Sequence, residues 1–189
     1  MKSSKAAIRH APSDAELMSK LANGDIGVLG EIYDRHHEAV RRFLVRATCG
    51  ADDAADLVQN TFLAASGAAA RFDGRTSCRP FLIGIAAHLV QERNRQRGFL
   101  ARLLGAFARE RVVVEPGPRL EARSSLDCLA AALERMSAAK RIVVLLAQVE
   151  GLTAPEIAKA LGIPVGTVWT RLHAARRELR DAMGLLGEP

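Results

Sequence analysis

A short segment near the C-terminus carries the pattern that most restricts the fold. Thr153 and Glu156 form a T-x-x-E capping box, in which each residue can satisfy an exposed amide at the start of a helix. Ala158 is small enough for a second helix to cross closely, and Gly162 can adopt the left-handed conformation that a sharp turn needs. A new helix is expected from Val165. The spacing predicts a helix–turn–helix unit.

The second helix of this unit is basic. Residues 165–180 contain four Arg and one Glu, a net charge of +3, and the start of the helix offers backbone amides and hydroxyls to phosphate. Its exposed side chains can enter a major groove; a helical hairpin with a solvated basic face is the alternative. Trp169 either contacts thymine methyls and sugar edges or packs on the neighbouring helix.

The first hundred residues also have helical patterns. Ser13 and Glu16 form another capping box, and that helix is expected to stop near Asn23-Gly24. The second helix has an apolar stripe at alternating steps of four and three, made of Leu29, Tyr33, His36, Val40, Phe43 and Ala47. A third helix is expected to start around Asp52 and Asp53, whose carboxylates suit its positive end.

A loop and a fourth helix follow. Residues 69–77 are predicted to form a loop, because Asp-Gly followed by Thr and Ser favours turns. Pro80 then opens a helix in its first turn, where its missing amide costs nothing. We expect this helix to end in the basic run that closes at Arg97.

The region after this helix is expected to be a linker. Between residues 91 and 123 there are eight Arg and four Glu, and the Glu-Pro-Gly-Pro sequence of 115–118 interrupts any continuous helix. Its first half, which includes Phe99, Leu103 and Phe107, is suited to a short amphipathic helix. Helical patterning resumes at a Ser124-x-x-Asp127 cap, and Ser137 is a candidate cap for the helix after it.

These patterns predict an all-α protein with two small helical domains, a helical bundle and a helix–turn–helix domain, joined by a flexible linker. The expected divisions are a tail at 1–12, a first domain at 13–97, a linker at 98–124, a second domain at 125–183 and a tail at 184–189.

Charge indicates the kind of partner. The formal net charge is +6, which favours a polyanionic partner such as nucleic acid over a merely solvated surface. Residues 51–60 run against this trend, with three acids and no bases. This acidic segment is expected to face a positively charged partner.

Other classes of protein are disfavoured. The three cysteines are widely separated, which indicates neither a disulfide framework nor a Cys-rich zinc site. His36 and His37 have no carboxylate or Cys at ligand spacing, so neither a metal site nor a cofactor is expected. The sequence contains no apolar run of membrane-spanning length and no apolar signal core, and we expect a cytoplasmic protein.

The motifs of both halves, taken in order, resemble the extracytoplasmic-function (ECF) subfamily of sigma-70 family sigma factors of bacterial RNA polymerase. In the first half the resemblance to sigma region 2 is carried by residues 14–17, 22–25, 32–33, 56–63, 71–73 and 79–86. In the second half the resemblance to region 4 is carried by residues 150–158, 161–168 and 171–176. The chain departs from the family pattern at Asn60, Ala65-Ser66, His88 and Trp169.

The resemblance implies partners and site residues. The partners are core RNA polymerase, through its β′ clamp helices and β flap, and promoter DNA, with an anti-sigma factor as a further candidate. The polymerase would be bound by Asp52, Asp53, Asp56, Leu57, Gln59 and Phe62. Melted minus-10 DNA would be held by Phe72, Asp73, Arg75, Arg79, His88, Arg93 and Arg95. The minus-35 duplex would be read by Thr167, Trp169, Thr170, Arg171, His173, Arg176 and Arg177.

Two other functions use the same helix–turn–helix. A polymerase-independent transcriptional regulator would need dimerisation and a palindromic site, and it leaves the acidic segment unexplained. A site-specific recombinase would need a nucleophile in a basic pocket, which the surroundings of Ser13 and Ser66 do not provide. No catalytic residues are therefore expected.

Overall fold

The computed structural model describes residues 11–50, 54–105, 125–182 and 184, without the side chains of 99–105 and 125–128. Throughout these ranges the regular structure is helical, as predicted. The helices are α1 (Asp14–Ala22), α2 (Leu29–Thr48), α3 (Ala54–Ala68), α4 (Arg79–Gly105), α5 (Ser125–Arg135), α6 (Ala138–Gln148), α7 (Ala154–Leu161) and α8 (Val165–Ala182). Two short 3-10 turns, Ile26–Val28 and Ala69–Arg71, precede α2 and follow α3.

The predicted capping boxes form at both helix starts. In α1 the Glu16 amide donates to Ser13 Oγ at 3.3 Å, and the Ser13 amide donates to Glu16 Oε2 at 2.7 Å. In α7 the Glu156 carboxylate accepts from the Thr153 amide at 2.8 Å. Ser137 occupies the position before α6, but its side chain makes no capping hydrogen bond.

The helix–turn–helix forms as predicted. Gly162 ends α7 with a φ of 62°, the left-handed conformation that lets α8 begin at Val165. Val168 and Leu172 are buried between the two helices, and Ile163 packs at the edge of the same core. This turn fixes the direction of α8 and therefore the side chains it exposes.

The stripe predicted on α2 is largely correct, with one exception. Val40, Phe43 and Ala47 are buried, together with Ile32 and Leu44. Tyr33, predicted to face the core, is 39% exposed and lies over the edge of it, stacked on His37 and tilted against Phe62. A phenol tolerates this position because its apolar ring packs while its hydroxyl stays in water.

Helix α4 is longer than predicted. It continues past Arg97 to Gly105, so the segment predicted as a separate amphipathic helix extends α4 instead. The physical reason is that Gly98 is the only helix-weakening residue there, and a single glycine costs only about 1 kcal/mol. The predicted 69–77 loop begins three residues later, at Phe72, because residues 69–71 form a 3-10 turn.

Several predicted features lie outside the described residues. These are the starting pair Asp52 and Asp53 of the third helix, the capping box at Ser124, Phe107 and the 115–118 interruption.

The two halves of the chain pack against each other. Buried residues of α1 to α4 and of α6 to α8 belong to one continuous apolar cluster, against which Leu133 of α5 packs. At the α4–α7 crossing, a Cβ placed on Gly84 would lie 3.2 Å from Ala160 Cβ, so the glycine permits the close approach. As a result, Arg95 of the predicted minus-10 set and Arg171 of the predicted minus-35 set line the same pocket.

Arg141 ties the halves together through backbone carbonyls. Arg141 is 9% exposed, and its guanidinium donates to Ala47 O in α2 at 3.0 Å and to Leu133 O in α5 at 2.8 Å. It also reaches Met136 O at 3.4 Å. A buried charge is retained here because carbonyl oxygens from both halves surround it.

We expect Arg141→Met to lower the free energy of unfolding by roughly 2 kcal/mol, because buried carbonyls lose charged donors. Urea denaturation followed by circular dichroism measures the change. Arg135→Met is the matched control, since Arg135 is exposed at the end of α5. Equal stabilities for the two variants would show that the carbonyl contacts contribute nothing.

Candidate polymerase and nucleic-acid interfaces

One face of α3 is exposed and carries an acid. Asp56, Gln59, Asn60 and Leu63 follow one another at steps of three, one and three, which places them on one side of a helix. Leu63 is 56% exposed, which is unusual for a large apolar side chain. The face therefore combines a negative charge, two amides and an apolar residue.

Two residues predicted to bind a partner on α3 are instead buried. Leu57 is 6% exposed and Phe62 is 3% exposed, and both belong to the core. The repeat of 3.6 residues explains this, because positions 57, 58, 61, 62 and 65 face α2 and α4 on the opposite side from Asp56. Of the described residues in that predicted set, Asp56 and Gln59 remain available to a partner, and Leu63 was missed.

A cavity of about 460 Å³ lies where the loop after α3 meets α4 and α7. Four residues of the predicted minus-10 set line it, namely Phe72, Asp73, Arg75 and His88. Its floor is apolar, with Phe72 edge-on to Phe81 at a centroid distance of 5.6 Å. The predicted set did not include Phe81, Ile85 and Lys159, which also line the cavity; for Phe81 and Ile85 the apolar spacing along α4 was the available signal.

Ion pairs connect the rim of this cavity to the second half. Arg75 donates to Asp73 Oδ2 at 2.8 Å and also to Glu156 Oε1 at the start of α7. Arg79 donates through two guanidinium nitrogens to Glu150 Oε2, the shorter bond being 2.7 Å. The Glu150 side chain is only 4% exposed. Both arginines are thus occupied by carboxylates of the second half.

Glu156 is held in its charged form. Hydrogen bonds from the Thr153 amide and from Arg75 lower the pKa of Glu156 to about 2. The carboxylate that caps α7 is therefore ionised throughout the neutral range, and the ion pair with Arg75 persists there.

The remaining residues of the predicted minus-10 set lie further along α4. Arg95 lines a second pocket of about 280 Å³ with Gln91, Asn94 and Arg171, and it pairs with Glu92 at 3.5 Å. Arg93 is half-buried, and this burial, together with the charge of Arg97, lowers its pKa. The structure thus gathers four of the seven predicted residues at the cavity, and Arg79 directly precedes Pro80, which also lines it.

The outer face of α8 is exposed and basic. Trp169, Thr170, His173, Arg176 and Arg177 are all exposed, and Trp169 is 57% exposed. The structure therefore favours an exposed Trp169 over one packed on the neighbouring helix. Thr167 is half-buried at the edge of this face.

Arg171 lies on a different side of α8 from the other arginines. It is half-buried and faces the second pocket, with Ile142 and Ile163 among its neighbours. Arg180, one turn beyond Arg176 on the outer face, was not in the predicted set.

None of the helices in the described part of the chain combines the length and the apolar character that a membrane span requires.

Comparisons with known proteins agree with both halves of the sequence pattern. The family described as Sigma-70 region 2 matches residues 32–99, and the family described as Sigma-70, region 4 matches residues 126–179. RNA polymerase sigma factor NccH of Alcaligenes xylosoxydans xylosoxydans is 32% identical over 171 residues, covering 88% of this chain and 92% of its own. ECF RNA polymerase sigma factor SigL of Mycobacterium tuberculosis is 31% identical over 173 residues, covering 90% and 97%.

Solved structures share the fold. RpoE of Bartonella quintana, in complex with the anti-sigma factor NepR, aligns with a TM-score of 0.59 and 24% identity, covering 80% of this chain and 93% of that one. CnrH in complex with the cytosolic domain of CnrY aligns with the same TM-score and identity, covering 93% and 100%.

Both sigma regions are therefore present in the predicted order, and relatives above 30% identity match along most of their length. The chain belongs to the ECF subfamily of the sigma-70 family of RNA polymerase sigma factors.

Proposed function

We propose that this sigma factor uses three separate binding surfaces. The outer face of α3 binds core polymerase, the cavity beside α4 binds melted minus-10 DNA, and the outer face of α8 binds the minus-35 duplex. Together they direct core polymerase to promoters in the bacterial cytoplasm. The observation that carries this proposal is the separation of charge, with an acidic exposed face on α3 and a basic exposed face on α8.

The α3 face suits a positively charged partner. Asp56 provides charge, Gln59 and Asn60 provide hydrogen bonds, and Leu63 provides an exposed apolar contact at its end. An interface with an apolar anchor beside a charge gains both affinity and orientation. We assign this face to the β′ clamp helices of the polymerase, and Asp52 and Asp53 precede it in sequence.

The cavity suits an unpaired base and its phosphates. Its apolar walls at Phe72, Phe81 and Ile85 can stack on or enclose a base. Arg75, which lines the cavity, and Arg79, which precedes the lining residue Pro80, can bind phosphates. In the arrangement described, both arginines are paired with glutamates and α7 forms one wall of the cavity. Binding of melted DNA there requires the two halves to separate.

The outer face of α8 suits duplex DNA. Its start follows the turn at Gly162, and Thr170, His173 and Arg176 project from successive turns on the exposed side. This is the geometry by which a recognition helix enters a major groove. Arg176 and Arg177 are assigned to phosphates.

Two further points complete the proposal. A structural neighbour is bound to an anti-sigma factor, and we include such a protein among the partners of this chain. We also infer that the chain performs no bond chemistry, since proteins of this family act as regulators and polymerisation belongs to the core enzyme. A polymerase-independent regulator is not favoured, because it gives the α3 face no partner.

We expect Asp56→Arg to weaken binding of core polymerase by about 30-fold or more, since like charges facing each other at an interface cost several kcal/mol. Fluorescence anisotropy of labelled protein with purified core polymerase measures this. Asp34→Arg is the control, because Asp34 is also exposed but lies on α2. Similar losses for both variants would remove the assignment to α3. Circular dichroism confirms that each variant is folded.

We expect the double variant Glu150→Gln/Glu156→Gln to bind a fixed single-stranded oligonucleotide about fivefold more tightly than the wild type. The reason is that the two ion pairs stabilise the packed form of the halves by about 1 kcal/mol. Glu178→Gln is the control, since it removes an ion pair with Lys140 inside the second half.

Small-angle scattering separates opening of the halves from a simple change in charge. The radius of gyration of the double variant is expected to rise, while that of Glu178→Gln stays at the wild-type value. An unchanged radius in the double variant would contradict the requirement for separation.

We expect Arg176→Ala to lower the salt dependence of duplex binding by roughly one unit of slope, because one phosphate contact is lost. Arg171→Ala is expected to leave the slope unchanged, since Arg171 faces the pocket between the halves. Anisotropy with a fixed duplex over a series of salt concentrations measures both slopes. The reverse order of effects would show that another side of α8 meets the DNA.

A further inference from the structure

Three side chains of metal-ligating type meet where α1, α2 and α4 come together. They are Asp14 in the first turn of α1, His36 in the middle of α2, and Cys78 just before α4. One ligand atom from each lies within 4.8 Å of the other two. Asp14 and Cys78 are buried, and His36 has only 12% of its side chain exposed. The sequence separates these residues by 22 and 42 positions, so spacing along the chain gives no sign of the cluster.

The polar hydrogens of this cluster converge on one carboxylate oxygen. His36 Nε2 lies 2.8 Å from Asp14 Oδ2, and the Cys78 amide donates to the same oxygen at 2.9 Å. Ser77 Oγ donates to it at 3.3 Å. Burial and the Asp14 carboxylate raise the pKa of Cys78 to about 12, so without a cation the thiol keeps its proton.

The spacing is close to that of a tetrahedral site. Bonds of 2.0–2.3 Å from zinc to oxygen, nitrogen and sulfur place neighbouring ligand atoms roughly 3.3–3.8 Å apart. The observed atoms, all within 4.8 Å of one another, need only small side-chain movements to reach this spacing.

We propose that Asp14, His36 and Cys78 form a binding site for a single Zn²⁺ ion, with Ser77 Oγ or a water molecule at the fourth position. A mixed set of nitrogen, oxygen and sulfur ligands selects zinc over magnesium or calcium, which prefer oxygen alone. The thiolate and the carboxylate together neutralise the charge of the ion. The site does not depend on the functions assigned above to α3, α8 and the cavity.

The positive charge of Arg35 disfavours a cation at this site, and this gives a test that distinguishes metal binding from a purely structural role. Its guanidinium lies 3.2 Å from the other Asp14 oxygen, Oδ1, and it is also paired with Glu31. Oδ2 is the oxygen on the side of His36 and Cys78, and an ion bound there would replace the contacts that it now makes with His36 Nε2 and Ser77 Oγ, while the charge of Arg35 reduces the attraction. Removal of the Arg35 charge is expected to tighten metal binding, which a purely structural cluster would not show.

Occupation of the site would join three parts of the first half. Cys78 lies at the end of the loop that contains Phe72 and Asp73, and α4 begins at the next residue. An ion at Cys78 would anchor that loop to α1 and α2. Ser77 lines the cavity, whereas Asp14, His36 and Cys78 are not among its lining residues, so the proposed site adjoins the cavity.

The test uses the full chain with Cys49→Ser and Cys128→Ser, which leaves Cys78 as its single cysteine. After chelator treatment the protein is titrated with Co²⁺, a spectroscopic substitute for Zn²⁺. We expect one equivalent to bind, with a thiolate-to-cobalt absorption band in the near ultraviolet and the intense visible bands of tetrahedral Co²⁺. Zn²⁺ is expected to displace the cobalt and to raise the melting temperature.

Variants of the same chain decide the outcome. Cys78→Ala is expected to lose the thiolate band, and both Cys78→Ala and His36→Asn are expected to bind zinc more weakly by roughly tenfold or more. Arg35→Gln is expected to bind it more tightly. Absence of the thiolate band in the parent chain, or an equal rise in melting temperature in Cys78→Ala, would overturn the proposal and leave the cluster as a hydrogen-bonded anchor for α4. Circular dichroism confirms the fold of every variant.

Discussion

The ion pairs between the cavity arginines and the glutamates of the second half are the interactions on which the rest of the arrangement depends. Arg75 and Arg79 each need an anionic partner at the rim, and Glu156 and Glu150 supply it in the packed form. A DNA phosphate would serve the same arginines equally well. Because one guanidinium cannot hold both partners in the same position, self-association of the halves and DNA binding at the cavity exclude each other.

Packing reinforces these ion pairs. Gly84 lets α7 approach α4 closely, and Arg141 binds carbonyl oxygens of both α2 and α5. Separation of the halves therefore exposes apolar surface and leaves carbonyls without their donor. Such a cost can be offset only by a partner that binds the separated form better than the packed form. Promoter DNA and polymerase are the partners that could supply this difference.

Local signals in the sequence predicted most of the fold. Capping boxes at Ser13 and Thr153 and the glycine turn at Gly162 depend on residues within a few positions of each other, and all three form. Helix α4 is longer than predicted because a basic composition does not end a helix. A strong helix breaker such as proline is needed, and none occurs between Arg97 and Gly105. The 3.6-residue period of α3 places Leu57 and Phe62 on the buried side and Leu63 on the exposed side, so this distinction could have been predicted from the sequence.

Contacts between distant parts of the chain were beyond the sequence patterns. Nothing local pairs Arg79 with Glu150 or brings Asp14 and Cys78 to His36, since these distances are set by how the helices pack. Arg171 illustrates the same limit. Its position in a basic helix predicted a DNA contact, but its rotation about α8 turns it towards α4 and α6.

The three proposed surfaces differ in whether the packed form leaves them accessible, and this difference implies an order of events. Asp56 on α3 and Arg176 on α8 are exposed while the halves are together, whereas the cavity rim is occupied. Polymerase and duplex DNA can therefore bind before the halves separate. In the proposed assignment polymerase and duplex DNA would bind different halves. If the two sites on the polymerase–promoter complex lie further apart than the packed form allows, binding at both would favour separation and open the cavity only on the polymerase. A sigma factor arranged in this way would bind single-stranded DNA when it is bound to polymerase and would bind it weakly when it is free.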